Sequence, residues 1–399
     1  MGSQKIIYAD NAATTPMSST AKDIMIRYMD TEYGNPSSLH FLGQRAAEAL
    51  HAARETMARH LGCSSREIYF TSGGSESDNQ AILSAALAGK AKGKKHLVST
   101  AFEHHAVLHT LRKLEREGFE VTLLDVHENG IVTVQDVRDV LRDDTCLVSI
   151  MYANNEIGTI QPIAEIGTIC REKGVIFHTD AVQAAGHVPI DVRVQNIDML
   201  SLSSHKFHGP KGIGALYVKS GVELTNLIEG GAQERGKRAG TESIPAIAGM
   251  AAAFDEACVH MAEHTDAVTR LRNRSIDGLG TIAHSALNGD KDRRLPGNVS
   301  FCFEGVEGEA LLLLLDQRGI CASSGSACTS GSLDPSHVLL ALGRPHEVAH
   351  GSLRLSLSAF NTEEDIEHIL NAVPEVVERL RSMSPLWKDL QEGKKSHAL

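Results

Sequence analysis

The chain lacks most of the marks that would place it outside soluble enzymes. Its most apolar run, Leu311 to Leu315, is far shorter than the roughly 20 residues that span a bilayer, and a buried helix is the expected reading. Low-complexity tracts and internal repeats are absent. Positive charge is in deficit: the formal net charge of −11 over 399 residues argues against general binding to a phosphate backbone, so no nucleic-acid partner is expected. The seven cysteines, Cys63, Cys146, Cys170, Cys258, Cys302, Cys321 and Cys328, form an odd, scattered set without a CxxC pair. Neither a disulfide framework nor a zinc site is therefore indicated, and most of these cysteines are expected to be small buried hydrophobes. The opening MGSQKIIYADNAATTP has no apolar core of the kind a secretion signal needs, so a cytoplasmic location and no membrane association are expected. A GxGxxG fingerprint is missing as well, which counts against a Rossmann oxidoreductase.

What is present is an ordinary globular composition, 42% hydrophobic and 22% charged, long enough for two domains. Strand-like runs alternate with helix-length segments: EIYFT, HLVST and CLVSIMY are each followed by a helical stretch, with VIFHTD beyond. This alternation predicts an α/β fold with a mainly parallel sheet covered by helices. In such sheets the ligand crevice lies beyond the carboxyl ends of the strands. Ser75, His104, Asn155 and Asp180 fall there. From about Ala253 the pattern changes to a long helical stretch, NVSFCFEG, the leucine-rich helix, SSGSACTSG and LRLSLSAF, which reads as a second, smaller domain. The tail after Trp387 is polar and aperiodic, and is expected to be frayed or a docking segment.

Several residues carry chemistry. Lys206 follows DMLSLSS and precedes FHGPKG, where glycine and proline suit a backbone passing close to a ligand; a lysine amine there can form a Schiff base with the aldehyde of pyridoxal phosphate. The bland reading is a turn lysine, as for Lys211. Asp180 ends an apolar strand, where a carboxylate is costly unless paired, and a pyridinium nitrogen is such a partner; a helix N-cap is the compatible bland reading. TSGGSESDN joins a strand to a helix in a form suited to phosphate, although capping alone explains Ser75 and Ser77. GGAQERGKR has Gly231, Gly236 and Lys237 at Walker A spacing, but Arg238 replaces the magnesium-binding Ser or Thr. An arginine-bearing glycine loop is what remains. Cys328 sits among Ser323, Ser324, Gly325, Ser326, Thr329, Ser330 and Gly331, a context that implies an exposed, mobile thiol. Arg354 alternates with apolar residues and could clamp a carboxylate from a strand, with a surface ion pair as the alternative. His104 could stack on a heteroaromatic ring or relay protons.

Taken together, YADNAATTP, YGNPSSLH, TSGGSESDN, EHHAVL, NNEIGTIQP, HTDAVQ, SSHKFHGPKG, GTES, SSGSACTSG and RLSLSAFNTEED appear in the order of one family. The chain resembles, nearly end to end, the cysteine desulfurases of the NifS and IscS type, within the aminotransferase class V family of fold-type I pyridoxal phosphate enzymes. The resemblance implies a large cofactor domain over 15–255 with a seven-stranded sheet sandwiched by helices. It implies a small α/β domain from 1–14 and 256–385 carrying a cysteine loop at about 321–335, and a polar tail over 386–399. It further implies that Lys206 bears the cofactor, His104 stacks on its ring, Asp180 pairs with the ring nitrogen and Gln183 meets the phenolic oxygen. Gly74, Ser75, Ser203 and His205 would hold the phosphate, and Thr241 would reach the phosphate of a neighbouring subunit in a homodimer. Asn155 and Arg354, with Asn35, would bind the carboxylate of L-cysteine.

The activity implied is conversion of L-cysteine to L-alanine, with sulfane sulfur left on Cys328 as a persulfide. That sulfur would pass to an acceptor protein such as an iron–sulfur scaffold, for cluster assembly or thiolation. No resident metal is implied, although Cys328 could ligate an iron–sulfur cluster transiently. The SSGSAC form is similar to the branch with the longer cysteine loop, while Ala232 and Ala239 stand where the family carries Gly and Ser. A selenocysteine lyase is the nearest rival activity, and an inactive subunit that docks sulfur-transfer partners is the rival from another class. A kynureninase or an aminotransferase has no use for the SSGSAC thiol.

Overall fold

The computed structural model describes residues 5–324 and 335–399. Cys328 and most of the expected cysteine loop lie outside the described residues. The described strands are β1 (Ile7–Tyr8), β2 (Ile68–Thr71), β3 (His96–Thr100), β4 (Glu120–Leu124), β5 (Thr145–Ser149) and β6 (Ile176–Asp180), then β7 (Met199–Ser203), β8 (Gly214–Val218), β9 (Ser285–Leu287), β10 (Asn298–Phe303), β11 (Ile320–Cys321) and β12 (Ser352–Ser356).

Seven of them form the main sheet, in the order β2-β8-β7-β6-β5-β3-β4. Its central strands are buried on both faces, which is why TCLVS and MLSLS show no in–out alternation of burial. Helices Gly74–Lys90, His105–Arg116, Ile163–Lys173 and Ile244–Val259 cover the sheet. The sheet is parallel except for β8, which runs antiparallel to both β2 and β7. The reason is local: the Ser204–Ile213 link is too short for the crossover that a parallel neighbour requires, which takes a dozen or more residues. Gly62, in the left-handed region at φ 71, ends the long helix Phe41–Leu61 and lets the chain turn toward β2.

A second hydrophobic cluster forms around the antiparallel sheet β12-β10-β9, with Phe301, Phe303, Leu353, Leu355 and Val373 inside it. Ile7 and Ala9 from the start of the chain join that cluster, because β1 pairs in parallel with β11. The leucine-rich run forms helix Gly308–Asp316, of which only one face is buried: Leu311 and Leu315 are inside while Leu313 is 66% exposed. The expectation of a buried helix is corrected to that extent. The tail also departs from the frayed reading. Pro385–Gln391 is a helix capped by the Ser384 hydroxyl, and the residues after it return to the β9–β10 region. Among the described residues no helix is long and apolar enough to cross a membrane.

Candidate active site

The carboxyl ends of β2, β3, β5, β6 and β7 open onto a cavity of about 310 Å³. One end is built for an anion. Helix Gly74–Lys90 starts there, and its N-terminal amides and dipole favour negative charge. Gly73 has φ 152, and a Cβ on Gly74 would lie 2.6 Å from Val182 Cγ2, so this approach tolerates no side chain. Ser75, Ser203 and His205 line the same end. Burial, helped by the charges of Lys206 and Lys211, holds the His205 imidazole down to about 4, so it is neutral.

The inner end carries carboxylates. Asp180 terminates β6, and its Oδ1 accepts from the Val182 amide at 2.9 Å. Ligand-type atoms of Asp78, His104 and Asp180 all lie within 4.8 Å of one another. Asp78, from the second turn of helix Gly74–Lys90, is 1% exposed, and its Oδ1 has no hydrogen-bond partner. The nearest cation-capable group, His178 at 3.6 Å, is pushed down to about 3 by burial and is neutral. Burial and then the charge of Asp180 raise Asp78 well above the ordinary carboxylate range. Asp180 is raised by burial too, but His104, the Val182 amide and Lys206 oppose the rise. The proton of this pair therefore sits on Asp78 and the negative charge on Asp180, ready for a cationic partner.

His104 caps helix His105–Arg116, its Nδ1 accepting from the Ala106 amide at 3.1 Å, which leaves Nε2 as the protonated nitrogen. Lys206 follows β7 on a short helical turn, and its Nζ donates to the carbonyls of Ala12 and Ala13 at 2.6 and 2.8 Å. Gln183 donates to Ala12 as well, at 2.9 Å. Asn155 and Arg354 line the outer part of the cavity, the latter only 3% exposed. A buried carboxylate and a lysine amine lining one cavity with a glycine cradle at a helix N-terminus are a set of groups that suits pyridoxal phosphate.

Asn35 is exposed, accepts from the Ser37 amide at 2.9 Å and does not line this cavity, while Thr241, expected to reach a neighbouring subunit's phosphate, is exposed. The arginine-bearing loop does not aim at a phosphate either. Arg238 pairs with Glu76 at 3.0 Å, and Arg235 lies 4.1 Å over the Tyr69 ring. Conversely, Asp78, Ala12 and Ala13 were not singled out in the sequence. The alanines act through carbonyls, for which no residue-type signal exists, and Asp78 stands in the polar string SESDN, which reads as a solvated helix start.

The six described thiols are poor nucleophiles. Burial pushes Cys63 and Cys258 up to about 12 and Cys146 and Cys302 up to about 11, and it raises Cys170 and Cys321 as well. No disulfide joins them.

Residues 7–369 match the aminotransferase class-V family. Over 98% of this chain and 99% of theirs, the sequence is 53% identical to a protein of Clostridium botulinum named cysteine desulfurase IscS. One of Methanosarcina thermophila with the same name is 54% identical over 96% of this chain and 94% of its own. Among solved structures, a NifS-like protein superposes with a TM-score of 0.88 at 36% identity, covering 94% of this chain and all of that one.

Proposed function

We propose a division of labour for a chain that belongs to the aminotransferase class-V family: as a pyridoxal phosphate-dependent cysteine desulfurase it converts L-cysteine to L-alanine, with Lys206 as the base and Cys328 as the sulfur acceptor. The observation that carries the reading is the meeting of Asp180, His104 and Lys206 in one cavity with a glycine cradle at a helix N-terminus. Pyridoxal phosphate, when bound, supplies an aldehyde for amines and a ring that accepts electrons. Asp180 holds the ring-nitrogen proton, and Asp78, by staying neutral, leaves that charge unshared. Gln183 and His104 fix the ring's position. Arg354 and Asn155 orient the substrate carboxylate, and Lys206 Nζ takes the proton from the substrate Cα and returns one to it after the C–S bond has broken.

Sulfur transfer then needs a thiolate. Cys328 Sγ attacks the substrate Sγ; an S–S bond forms as the C–S bond breaks, and the electron pair stays on carbon, which is protonated to alanine. The sum is L-cysteine plus a thiol giving L-alanine plus a persulfide. Burial raises the pKa of every described cysteine, which disfavours their thiolates, and the family resemblance assigns this role to Cys328. It passes sulfur to an acceptor protein such as an iron–sulfur scaffold. The working unit is a homodimer, in which Thr241 reaches the partner's phosphate site and the exposed Tyr33, Leu39 and Phe41 around Asn35 are covered by the second copy. The main sheet with 15–255 and the smaller cluster with 1–14 and 256–385 serve as two domains.

Wild type, given L-cysteine and reductant, should form sulfide and alanine in equal amounts. Cys328→Ala should keep the cofactor's absorbance and lose sulfide. Absence of a cofactor band in pure wild type, or sulfide formation that survives Cys328→Ala, would overturn the assignment.

A further inference from the structure

Away from the cavity, the end of the chain builds a second convergence of ligand-type groups. His397 Nδ1 lies 2.6 Å from Glu304 Oε2. His284 Nδ1 lies 3.3 Å from that same oxygen and 3.2 Å from the Leu399 carbonyl oxygen. The two imidazoles stack with centroids 3.9 Å apart, and the three side-chain ligand atoms all lie within 4.8 Å of one another. Glu304 is 4% exposed, whereas both histidines keep an open edge.

Hydrogen bonding accounts for only part of this. A Nδ1 hydrogen on His397 satisfies its contact with Glu304. The single Nδ1 hydrogen of His284 would have to serve two acceptors, and both separations exceed the usual N–H···O distance of about 2.9 Å. They match the spacing of ligands around a tetrahedral ion instead: bonds of about 2.0–2.1 Å place neighbouring ligands about 3.4 Å apart.

We propose that His284, Glu304 and His397, with the Leu399 carbonyl, bind one divalent transition-metal ion and so tie the C-terminal tail to the small sheet. Two imidazoles and a carboxylate form a borderline donor set suited to zinc, cobalt or nickel rather than to calcium or magnesium. The surroundings orient these ligands. Glu304 Oε1 accepts from the Ala398 amide at 2.6 Å, which fixes the carboxylate. Arg381 donates to the carbonyls of Ala283, His284 and Glu304 at 2.8, 2.9 and 2.9 Å, pinning both ligand-bearing segments. His284 is held in the left-handed region at φ 51, a strained conformation for a non-glycine residue. Trp387 closes the side against both rings, with centroids 5.3 and 5.6 Å away.

Two adjustments accompany binding. The His397–Glu304 contact lengthens by roughly 0.8 Å, and the stacked rings fan apart, because each lone pair lies in its ring plane. The Arg381 charge opposes a cation and keeps the affinity below that of a closed structural zinc site. Since metal displaces the Nδ1 protons, the affinity rises with pH.

The experiment is titration of chelator-treated holoenzyme with Co²⁺, followed by the visible ligand-field band, together with melting temperature in the presence and absence of Zn²⁺. Wild type should bind one equivalent with a nitrogen–oxygen ligand field and gain melting temperature with Zn²⁺. His397→Ala, and separately a chain ending at Ser396, should bind roughly tenfold or more weakly and lose the thermal shift. His397→Ala leaves the cores intact, whereas the truncation also removes Leu399, which packs against the main core; an unchanged cofactor band reports a folded protein in each case, and His397→Ala isolates the loss of the ligand. Equal binding by wild type and His397→Ala, no stoichiometric binding, or a thiolate-type band abolished by Cys328→Ala would each overturn the proposal.

Discussion

Arg354 and Asp10 form a buried ion pair, Nη2 to Oδ1 at 2.8 Å, between the strand β12 and the segment that follows β1. The other terminal nitrogen donates to the Asn155 carbonyl at 3.1 Å, and Nε has no hydrogen-bond partner. The guanidinium is thus aimed into the cavity mouth by two contacts while retaining donors for a carboxylate. Arg354→Lys would keep a charge but lose the fork. Its KM for L-cysteine should rise about 10- to 100-fold, the scale of a lost charge-assisted hydrogen bond, with the cofactor band unchanged. Asp10→Asn, which loosens the aim without removing a donor, should raise KM less. Steady-state kinetics with L-cysteine on both variants checks this, and an effect confined to kcat would contradict it.

The same β12 segment shows what the sequence could and could not disclose. Alternation in LRLSLS left Arg354 open between an inward clamp and a surface ion pair, whereas the two-sided apolar runs of β3, β5, β6 and β7 placed the strand ends correctly, because burial on both faces leaves a composition signature. Asp180 and Lys206 were legible for the reverse reason: a charge at the end of such a run is costly without a partner. Asp78 was hidden in the polar string SESDN, which reads as a solvated helix start. Only packing of helix Gly74–Lys90 against the sheet turns that position inward. The antiparallel β8 depends on the length of one link rather than on any strand residue. Frayed and docking readings of the tail could not be separated from sequence, because its anchors, His397 and Ala398, bond to Glu304 across a sequence distance that no periodicity reports.

Asp180 and Asp78 should separate cleanly by substitution. Asp180→Asn removes the charge facing the cofactor's ring nitrogen and should lower cysteine turnover by roughly 10²–10³-fold, in line with loss of one preorganised electrostatic partner. Asp78→Asn mimics the protonated acid already present and should cost less than about tenfold. Turnover assays alongside a pH titration of the cofactor's absorbance distinguish them: only Asp180→Asn should shift the spectrum's titration. Equal losses in the two variants would contradict the placement of the proton on Asp78.

Glu103 gives a pH prediction whose sign is fixed by linkage. Its Oε1 accepts from the Thr100 hydroxyl at 2.7 Å and the Met151 amide at 2.9 Å, but burial dominates and raises the acid from 4.5 to about 8. Between those values the folded protein keeps a proton that the unfolded chain has released. Its contribution to stability is therefore fully present below about 4.5, declines as pH rises and levels off above about 8. Glu103→Gln removes that dependence. The stability of wild type relative to the variant should fall steadily from pH 5 to pH 8, as read from urea midpoints. A difference that grows with pH would mean that Glu103 is ionised in the folded state.

The most consequential structural charge lies under the glycine loop. Arg54 grips Glu234 in a two-pronged pair, Nη1 to Oε2 and Nη2 to Oε1, both at 2.7 Å, and also donates to the Ile68 carbonyl. Glu234 accepts from the Phe70 amide in turn. Glu234 and Arg235 sit in the left-handed region at φ 46 and 58, so the pair holds a strained turn against the edge strand β2. Arg54→Met leaves a buried, unpaired carboxylate and should destabilise the protein by about 3–5 kcal/mol. Arg54→Met with Glu234→Gln removes that charge and should recover part of the loss, while the turn, released from its clamp, becomes a site of proteolytic cleavage. Denaturant melts and limited proteolysis of the single and double variants test both halves. If the double variant is as unstable as Arg54→Met alone, the cost comes from lost packing of the arginine over Phe70, whose ring lies 4.9 Å from the guanidinium, and not from the stranded charge.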